Sequence, residues 1–247
     1  MSKQDHIPNF YTFKWGDKYG PEYVIRLRNS LIKYCKFPFN FTCITDNPVD
    51  GVVCEDIREY QLFSESVFTA EKMELMYNHA TGTNILLDLD ILIHGDITHL
   101  CNTEELAGPR FIYTHWTPKW HWEKLVPKKT ACFINSSFVK WEGMSACFIY
   151  EHYMKNREAY QKEYNSFDKY VFYEHYLHGG RGMKFPVWGS EFCYNYNEQG
   201  DDQYKMIEDK QICLFNTSHL IKMDRRYYEL DNTPTEHTEI WESYDAI

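Results

Sequence analysis

Two aspartates interrupt the most apolar stretch of the chain. Residues Asn84–Ile97 read NILLDLDILIHGDI, with Asp88 and Asp90 inside a run of Ile and Leu. An ionised carboxylate among such neighbours is costly unless it is paired or metal-bound. In an extended strand, residues two apart point to one face. Asp88 and Asp90 then converge on one side while Leu89 turns to the other. Two converging carboxylates suit a hard divalent cation, Mg2+ or Mn2+. A cation with open positions can bind a substrate diphosphate and offset charge on a leaving group. The competing reading is that one or both aspartates end the strand and accept bonds from loop amides.

A strand of this kind needs a sheet around it. Ile7–Phe13 reads as a first strand, followed by the loop KWGDKYG. Pro21 opens a helix, where its missing N–H is tolerated. Val24, Leu27, Arg28, Leu31, Ile32 and Cys35 recur there at helical spacing. Phe39–Thr45 is a second strand closed by the turn DNPVDG, and VVCEDI is a third. Thr69 caps a helix to about His79 that carries Lys72, Met73 and Met76. RFIYTHW and CFINSSFVKW are further strands, helices cover about 144–160 and 166–178, and MKFPVW and QICLFN are late strands. Strands alternating with helices in the first half predict an α/β fold with a mostly parallel central sheet flanked by helices. In such sheets, sites lie beyond the carboxyl ends of the strands.

The chain's 247 residues fit one such domain, and no linker or internal repeat divides it. A net charge of -10 argues against broad nucleic-acid binding, because an acidic chain repels phosphate backbones. The 8 cysteines form no C-x-x-C pair and sit among apolar residues, so they read as buried reduced thiols rather than a zinc site. The N-terminus lacks the apolar stretch of a signal peptide, and no run approaches the ~20 apolar residues of a membrane span. A cytoplasmic protein is expected, and the sequons at Asn40, Asn135 and Asn216 then carry little meaning. The segment 229–247 is acidic and reads as a solvated tail.

With these residues in view, the chain resembles the GT-A nucleotide-sugar glycosyltransferases. It is most similar to the glycogenin-like family-eight group and related small bacterial and phage enzymes. LLDLDILIHGDI matches their Asp-x-Asp after an apolar strand. YTFKWGDKYGPEYVIRLRNSLIKY resembles their opening strand, nucleotide loop and first helix, which implicates Thr12, Phe13, Asp17 and Tyr19 in holding the base. FTAEKMELM resembles the helix whose lysine, Lys72 here, approaches the donor diphosphate or ribose. FINSSFVKW is similar to the strand that touches the donor sugar and implicates Asn135, Ser136 and Ser137. CLFNTSHLIK falls where the family has a metal-binding His and, six residues later, a lysine. Here Asn216 occupies the His position and Lys222 keeps the spacing, with His219 between them. Either Asn216 ligates through its amide oxygen, or His219 substitutes, or Asp88, Asp90 and substrate suffice.

The resemblance implies a single GT-A-like (Rossmann-like) domain. Its nucleotide-binding half covers about 1–100 and its acceptor-side half about 101–225. It also implies a hexosyltransferase that uses Mn2+ or Mg2+, a nucleotide-sugar donor of UDP type and a saccharide or other hydroxyl acceptor. Asp168 lies roughly where relatives have an acidic residue facing the acceptor. It reads either as a general base or as a surface helical Asp, and Glu174 and Glu191 are weaker candidates of the same kind. Tyr113–Trp122, YTHWTPKWHW, is either an acceptor platform or a loop filling its own small core. His175 and His178 share a helical face. A cationic helix end stopped by Gly179 suits them better than a metal pair. Two other functions fit the same scaffold, a nucleotide-sugar hydrolase and a non-catalytic carbohydrate-binding protein. Intact Asp88, Asp90 and Lys72 argue against the latter.

Overall fold

The computed structural model describes residues 7–64, 69–104, 106, 108–113, 132, 134–177, 187–188, 191–195, 208–215 and 236–247. Strand β1 (Asn9–Lys14) leads through a loop to α1 (Pro21–Tyr34), then to β2 (Asn40–Thr45) and β3 (Val53–Asp56). Helix α2 (Glu71–Asn78) precedes β4 (Thr83–Leu87) and the short β5 (Ile91–Ile93). Strands β6 (Arg110–Tyr113) and β7 (Ile134–Glu142) follow, then α3 (Cys147–Met154), α4 (Arg157–Glu163) and α5 (Phe167–Val171). Helix α5 runs into a π-helical segment, Phe172–Leu177. Strands β8 (Val187–Trp188), β9 (Cys193–Asn195) and β10 (Ile212–Leu214) and helix α6 (Glu236–Glu242) complete the described strands and α-helices.

The central sheet has seven strands in the order β3-β2-β1-β4-β7-β6-β8. β3, β2, β1 and β4 are parallel to their neighbours. β7 runs antiparallel to both β4 and β6, and β8 is parallel to β6. Alternate residues feed two separate cores because successive side chains leave a strand on opposite faces. Phe10, Ile85, Leu87 and Phe138 pack on the α1 side. Tyr11, Leu86, Val139 and Phe111 pack on the other, with residues of α2, α3 and α5. With both faces covered, β4 is buried at every position. Truncating Leu86 there to Ala removes packing that costs about 3 kcal/mol to lose.

The structure redraws several sequence expectations. The stretch from Thr83 is two strands: β4 in the large sheet and β5 in a small sheet of order β5-β10-β9. The chain leaves the large sheet after Leu87 and enters the small one at Ile91, so Asp88, Leu89 and Asp90 form the junction. The helix expected over 144–160 breaks after Met154 and restarts at Arg157. Helix α2 begins one residue beyond Ala70, with no side-chain cap. Thr69 instead has a φ of 54°, a left-handed conformation that a β-branched residue adopts only under strain.

The acidic C-terminal segment is not a solvated tail over 236–247. His237, Trp241 and Tyr244 are buried. Asn29 Nδ2 donates to the Tyr244 carbonyl at 2.8 Å, and the Tyr23 and Trp241 rings lie 4.7 Å apart. Asp245 pairs with Arg26. The Trp241 and Tyr244 rings win because burying them outweighs exposing a few carboxylates at the rim. All eight cysteines are free thiols. Among the described residues, no helix is long and apolar enough to cross a membrane.

Candidate active site

Asp88 and Asp90 stand at the carboxyl end of β4, so their placement follows from where the sheet ends. The Asp88 N–H donates to the Ser137 carbonyl at 2.9 Å, which extends the β4–β7 ladder by one residue. The Asp90 carbonyl accepts from the Phe215 N–H at 3.0 Å, just past β10. The expectation of two carboxylates on one strand face is corrected: both belong to the junction between the sheets. The backbone bonds at either end fix the junction, so its two carboxylates are held without being part of a strand.

Both carboxylates line a cavity of about 400 Å3, within the usual range for small-molecule sites. Its wall also carries Phe13 from the end of β1, Trp15 and Tyr19 from the β1–α1 loop, and Lys72 from α2. Gly16 in that loop has a φ of 62°, a turn geometry that glycine adopts without strain. Its N–H donates to Asp46 Oδ2 at 3.1 Å, which anchors the loop to the end of β2. Tyr19 donates to Asp90 Oδ2 at 3.1 Å. Burial and the neighbouring Asp90 push the Tyr19 phenol well above its ordinary range, so it is a fixed donor.

Behind the carboxylate pair lies a buried ionic cluster. Lys72 Nζ donates to Asp88 Oδ1 at 2.7 Å, to Ser136 Oγ at 3.1 Å and to the Ser136 carbonyl at 3.4 Å. An ammonium has three donors, and these contacts use them all. Burial pulls the Lys72 pKa down, but Asp88, Asp168 and Glu71 outweigh it and hold the pKa above its ordinary value. Asp168 is pushed up to about 6, mainly by burial, against the opposing pull of Lys72 and a bond to Ser136. Its Oδ1 is buried without a hydrogen-bond partner. The Asp90 pKa is raised by burial first and by the negative charge of Asp88 second. Glu71 is 2% exposed, lines the cavity, and is pushed up to about 7 by burial.

The structure thus brings together Phe13, Asp17, Tyr19, Lys72, Asp88 and Asp90 on one wall. Ser136 joins them through Lys72, and Ser137 through the Asp88 backbone. Asn135 instead accepts from the Ser137 N–H, at 2.5 Å. Thr12 is fully buried, its hydroxyl has no partner, and it is not among the described lining residues. Asp168 is not a surface helical Asp; it faces Ser136 and Lys72. Glu174 accepts from Tyr164, and Glu191 is exposed. His175 is buried and pushed down to about 3, chiefly by burial, so it is neutral and not a cationic helix end. Asn216, His219, Lys222, His178, Gly179 and the segment 114–122 lie outside the described residues.

Sequence reasoning missed Trp15, Lys18, Thr69, Glu71 and Leu89 as cavity residues. Trp15 and Lys18 stand in the loop already singled out, so loop membership was the available signal. Glu71 precedes the singled-out Lys72, but an acid in a first helical turn has an ordinary explanation.

No family model and no curated protein matches the sequence. Solved structures do match. A galactosyltransferase, LgtC, in complex with donor and acceptor sugar analogues, aligns over 97% of this chain and 96% of its own, with a TM-score of 0.58 and 10% identity. The glycosyltransferase GlyE of Streptococcus pneumoniae TIGR4 aligns over 98% of this chain and 61% of its own, with a TM-score of 0.61 and 9% identity. This chain has a GT-A-type glycosyltransferase fold. In that fold's terms, β1 to β4 form the parallel part of the sheet, and the Asp88–Asp90 junction lies at its carboxyl edge.

Proposed function

We propose that the chain is a metal-dependent glycosyltransferase that moves a sugar from a nucleoside diphosphate donor, UDP-linked, to a saccharide or other hydroxyl acceptor. The observation that carries this reading is the pairing of Asp88 and Asp90 on the wall of a cavity that also holds the β1–α1 loop. The two carboxylates fit a divalent cation, because burial and the charge of Asp88 disfavour ionisation of Asp90 and a cation relieves both. Asp88 and Asp90 would hold Mn2+ or Mg2+, with Asn216, His219 or substrate oxygens alone completing the ligand set. The bound cation supplies charge neutralisation at the diphosphate as it leaves.

The chain's own residues do the positioning. Lys72 holds Asp88 in place and adds positive charge beside the diphosphate. Tyr19 orients Asp90 by donating to Oδ2. Phe13 and Trp15 offer flat faces to the base, and Asp17 and Tyr19 edge the same wall. Asn135, Ser136 and Ser137 shape the β7 end toward the donor sugar. Asp168 faces Lys72 and Ser136, which suits a positioning residue better than a base that abstracts the acceptor's proton.

The test is turnover of a UDP-sugar panel with Mn2+, with and without a saccharide acceptor panel. Acceptor-dependent UDP release with a new glycoside is the expected result. UDP and free sugar at equal rates without acceptor would make the protein a hydrolase. No turnover and no donor binding would remove the enzymatic reading. Metal affinity between pH 5.5 and 7.5 separates the remaining ligand choices. Affinity through His219 falls below roughly pH 6.5, whereas an amide oxygen from Asn216 does not titrate.

A further inference from the structure

Glu71 is a buried acid on the wall of the donor cavity without a complete set of partners. It is 2% exposed and lines the cavity with Asp88, Asp90 and Lys72. Its Oε2 is buried and makes no hydrogen bond. A buried carboxyl oxygen left unpaired costs free energy that a bound donor group can recover. Its neighbour at α2, Glu74, has no such deficit: both of its oxygens accept backbone N–H bonds, from Gln61 at 2.9 Å and Leu62 at 2.7 Å. The contrast separates a carboxyl built into the fold from one left open at the cavity.

Three partners are conceivable for Glu71. A cation shared with Asp88 and Asp90 is disfavoured, because among the described residues no three His, Cys, Asp or Glu side chains group closely enough to hold one. Phosphate oxygens are acceptors: they repel the ionised carboxyl and bond only its protonated form, whereas a hydroxyl suits both. Hydroxyl groups remain, since they donate to a carboxyl oxygen without cost in charge. The cavity is lined by the carboxylate pair and Lys72 and also by the rings of Phe13 and Trp15. A nucleoside diphosphate with its phosphates at the carboxylates and its base on those rings would carry its ribose between them.

We infer that Glu71 reads the donor's ribose by accepting a hydrogen bond from a ribose hydroxyl, and so sets the preference for ribonucleotides over deoxyribonucleotides. This rests on the nucleoside diphosphate reading of the cavity. Thr69, with its φ of 54°, stands two residues before Glu71 on the same wall. Strain held at that point fits a backbone shaped to present Glu71 rather than one chosen for helix initiation.

The experiment measures the dissociation constants of UDP, 2′-deoxy-UDP, 3′-deoxy-UDP and inorganic pyrophosphate, each with Mn2+, for wild type, Glu71→Leu, Glu71→Ala and Glu71→Gln. Thermal melting without ligand accompanies each. Glu71→Leu should lose about 10-fold in UDP affinity and nothing in pyrophosphate affinity. Its penalty should vanish for the deoxy analogue that lacks the recognised hydroxyl. Glu71→Gln, which keeps one acceptor oxygen, should stay within about threefold of wild type. Glu71→Ala supplies the same comparison if leucine overfills the site. Wild-type UDP affinity in a folded Glu71→Leu or Glu71→Ala overturns the inference, as does an equal loss for pyrophosphate or for both deoxy analogues. In those cases UDP binding by the wild type leaves the donor reading standing. If the wild type binds pyrophosphate with Mn2+ but no UDP, the donor reading itself falls and takes this inference with it.

Discussion

Two buried lysines, one in each half of the chain, are held by carboxylates in opposite ways. Lys140 on β7 is fully buried and contacts Glu104 at 2.8 Å, the Asn102 carbonyl, and Glu142 at 3.6 Å. Glu104 also pairs with Arg110 at 2.7 Å, and Glu142 accepts from Thr83 at 2.6 Å and from the Glu104 N–H at 3.2 Å. That network turns its charges on the protein itself: Arg110 Nε lacks a partner, but every oxygen of Glu104 and Glu142 has one. Lys72 sits in a network of similar make-up, with Asp88, Asp168 and Ser136, but this one opens on a cavity. It leaves Asp168 Oδ1 and the adjacent Glu71 Oε2 without partners. Buried charges that satisfy one another hold a fold together. Buried charges left incomplete beside a cavity are arranged for something that arrives.

The comparison breaks most sharply at Asp90. Asp90→Ala should take Mn2+-dependent UDP binding below detection, a loss on the order of 1,000-fold, while circular dichroism and melting stay close to wild type. Undiminished affinity in a folded variant would dissolve the distinction between the two networks. Lys140→Met should do the reverse. It leaves Glu104 and Glu142 short of a cation and should lower the unfolding free energy by about 3 kcal/mol, read by urea titration, with UDP affinity unchanged.

Lys72→Met should weaken UDP by about 10-fold and uridine far less, measured by calorimetric titration. Equal losses for both ligands would make Lys72 a structural counterpart of Lys140. The pH dependence of stability turns on Asp168. Its pKa is raised from 3.8 to about 6 in the folded state, so between those values the folded protein binds the proton more tightly than the unfolded chain. Its contribution to stability therefore falls as pH rises from about 4 to about 6 and is constant above. Asp168→Asn should flatten that decline by at most about 3 kcal/mol, read as melting temperature against pH. An unchanged profile would show that Asp168 is not the group titrating there.

Much of this site was legible before any coordinates. Two acids inside ILLDLDILI are anomalous on energetic grounds alone, and the alternation of strands and helices predicts a parallel sheet that ends beside them. Why they converge was not legible. Strand periodicity puts Asp88 and Asp90 on one face, but their convergence comes from the chain passing between two sheets, and that depends on bonds from Ser137 and Phe215, residues far away in sequence. Asp168 looked as much like a surface residue as a site residue, because its burial is set by the distant Ser136 and Lys72. The C-terminal segment misled for the opposite reason: its acids are visible in the composition, whereas Trp241 and Tyr244 show their worth only once α1 is there to receive them. Glu71 was hidden by a sufficient local explanation, an acid at a helix start, which the orphaned oxygen replaces.

The account rests on the cavity beside Asp88 and Asp90 being a cation-assisted site for a nucleoside diphosphate. A crystal soaked with UDP and Mn2+, with anomalous data collected at the manganese edge, tests that directly. The predicted result is one manganese peak ~2.2 Å from carboxylate oxygens of Asp88 or Asp90 and from diphosphate oxygens, with the uracil against Phe13 or Trp15. Nucleotide bound elsewhere, or ordered in the cavity with manganese away from both aspartates, would contradict it.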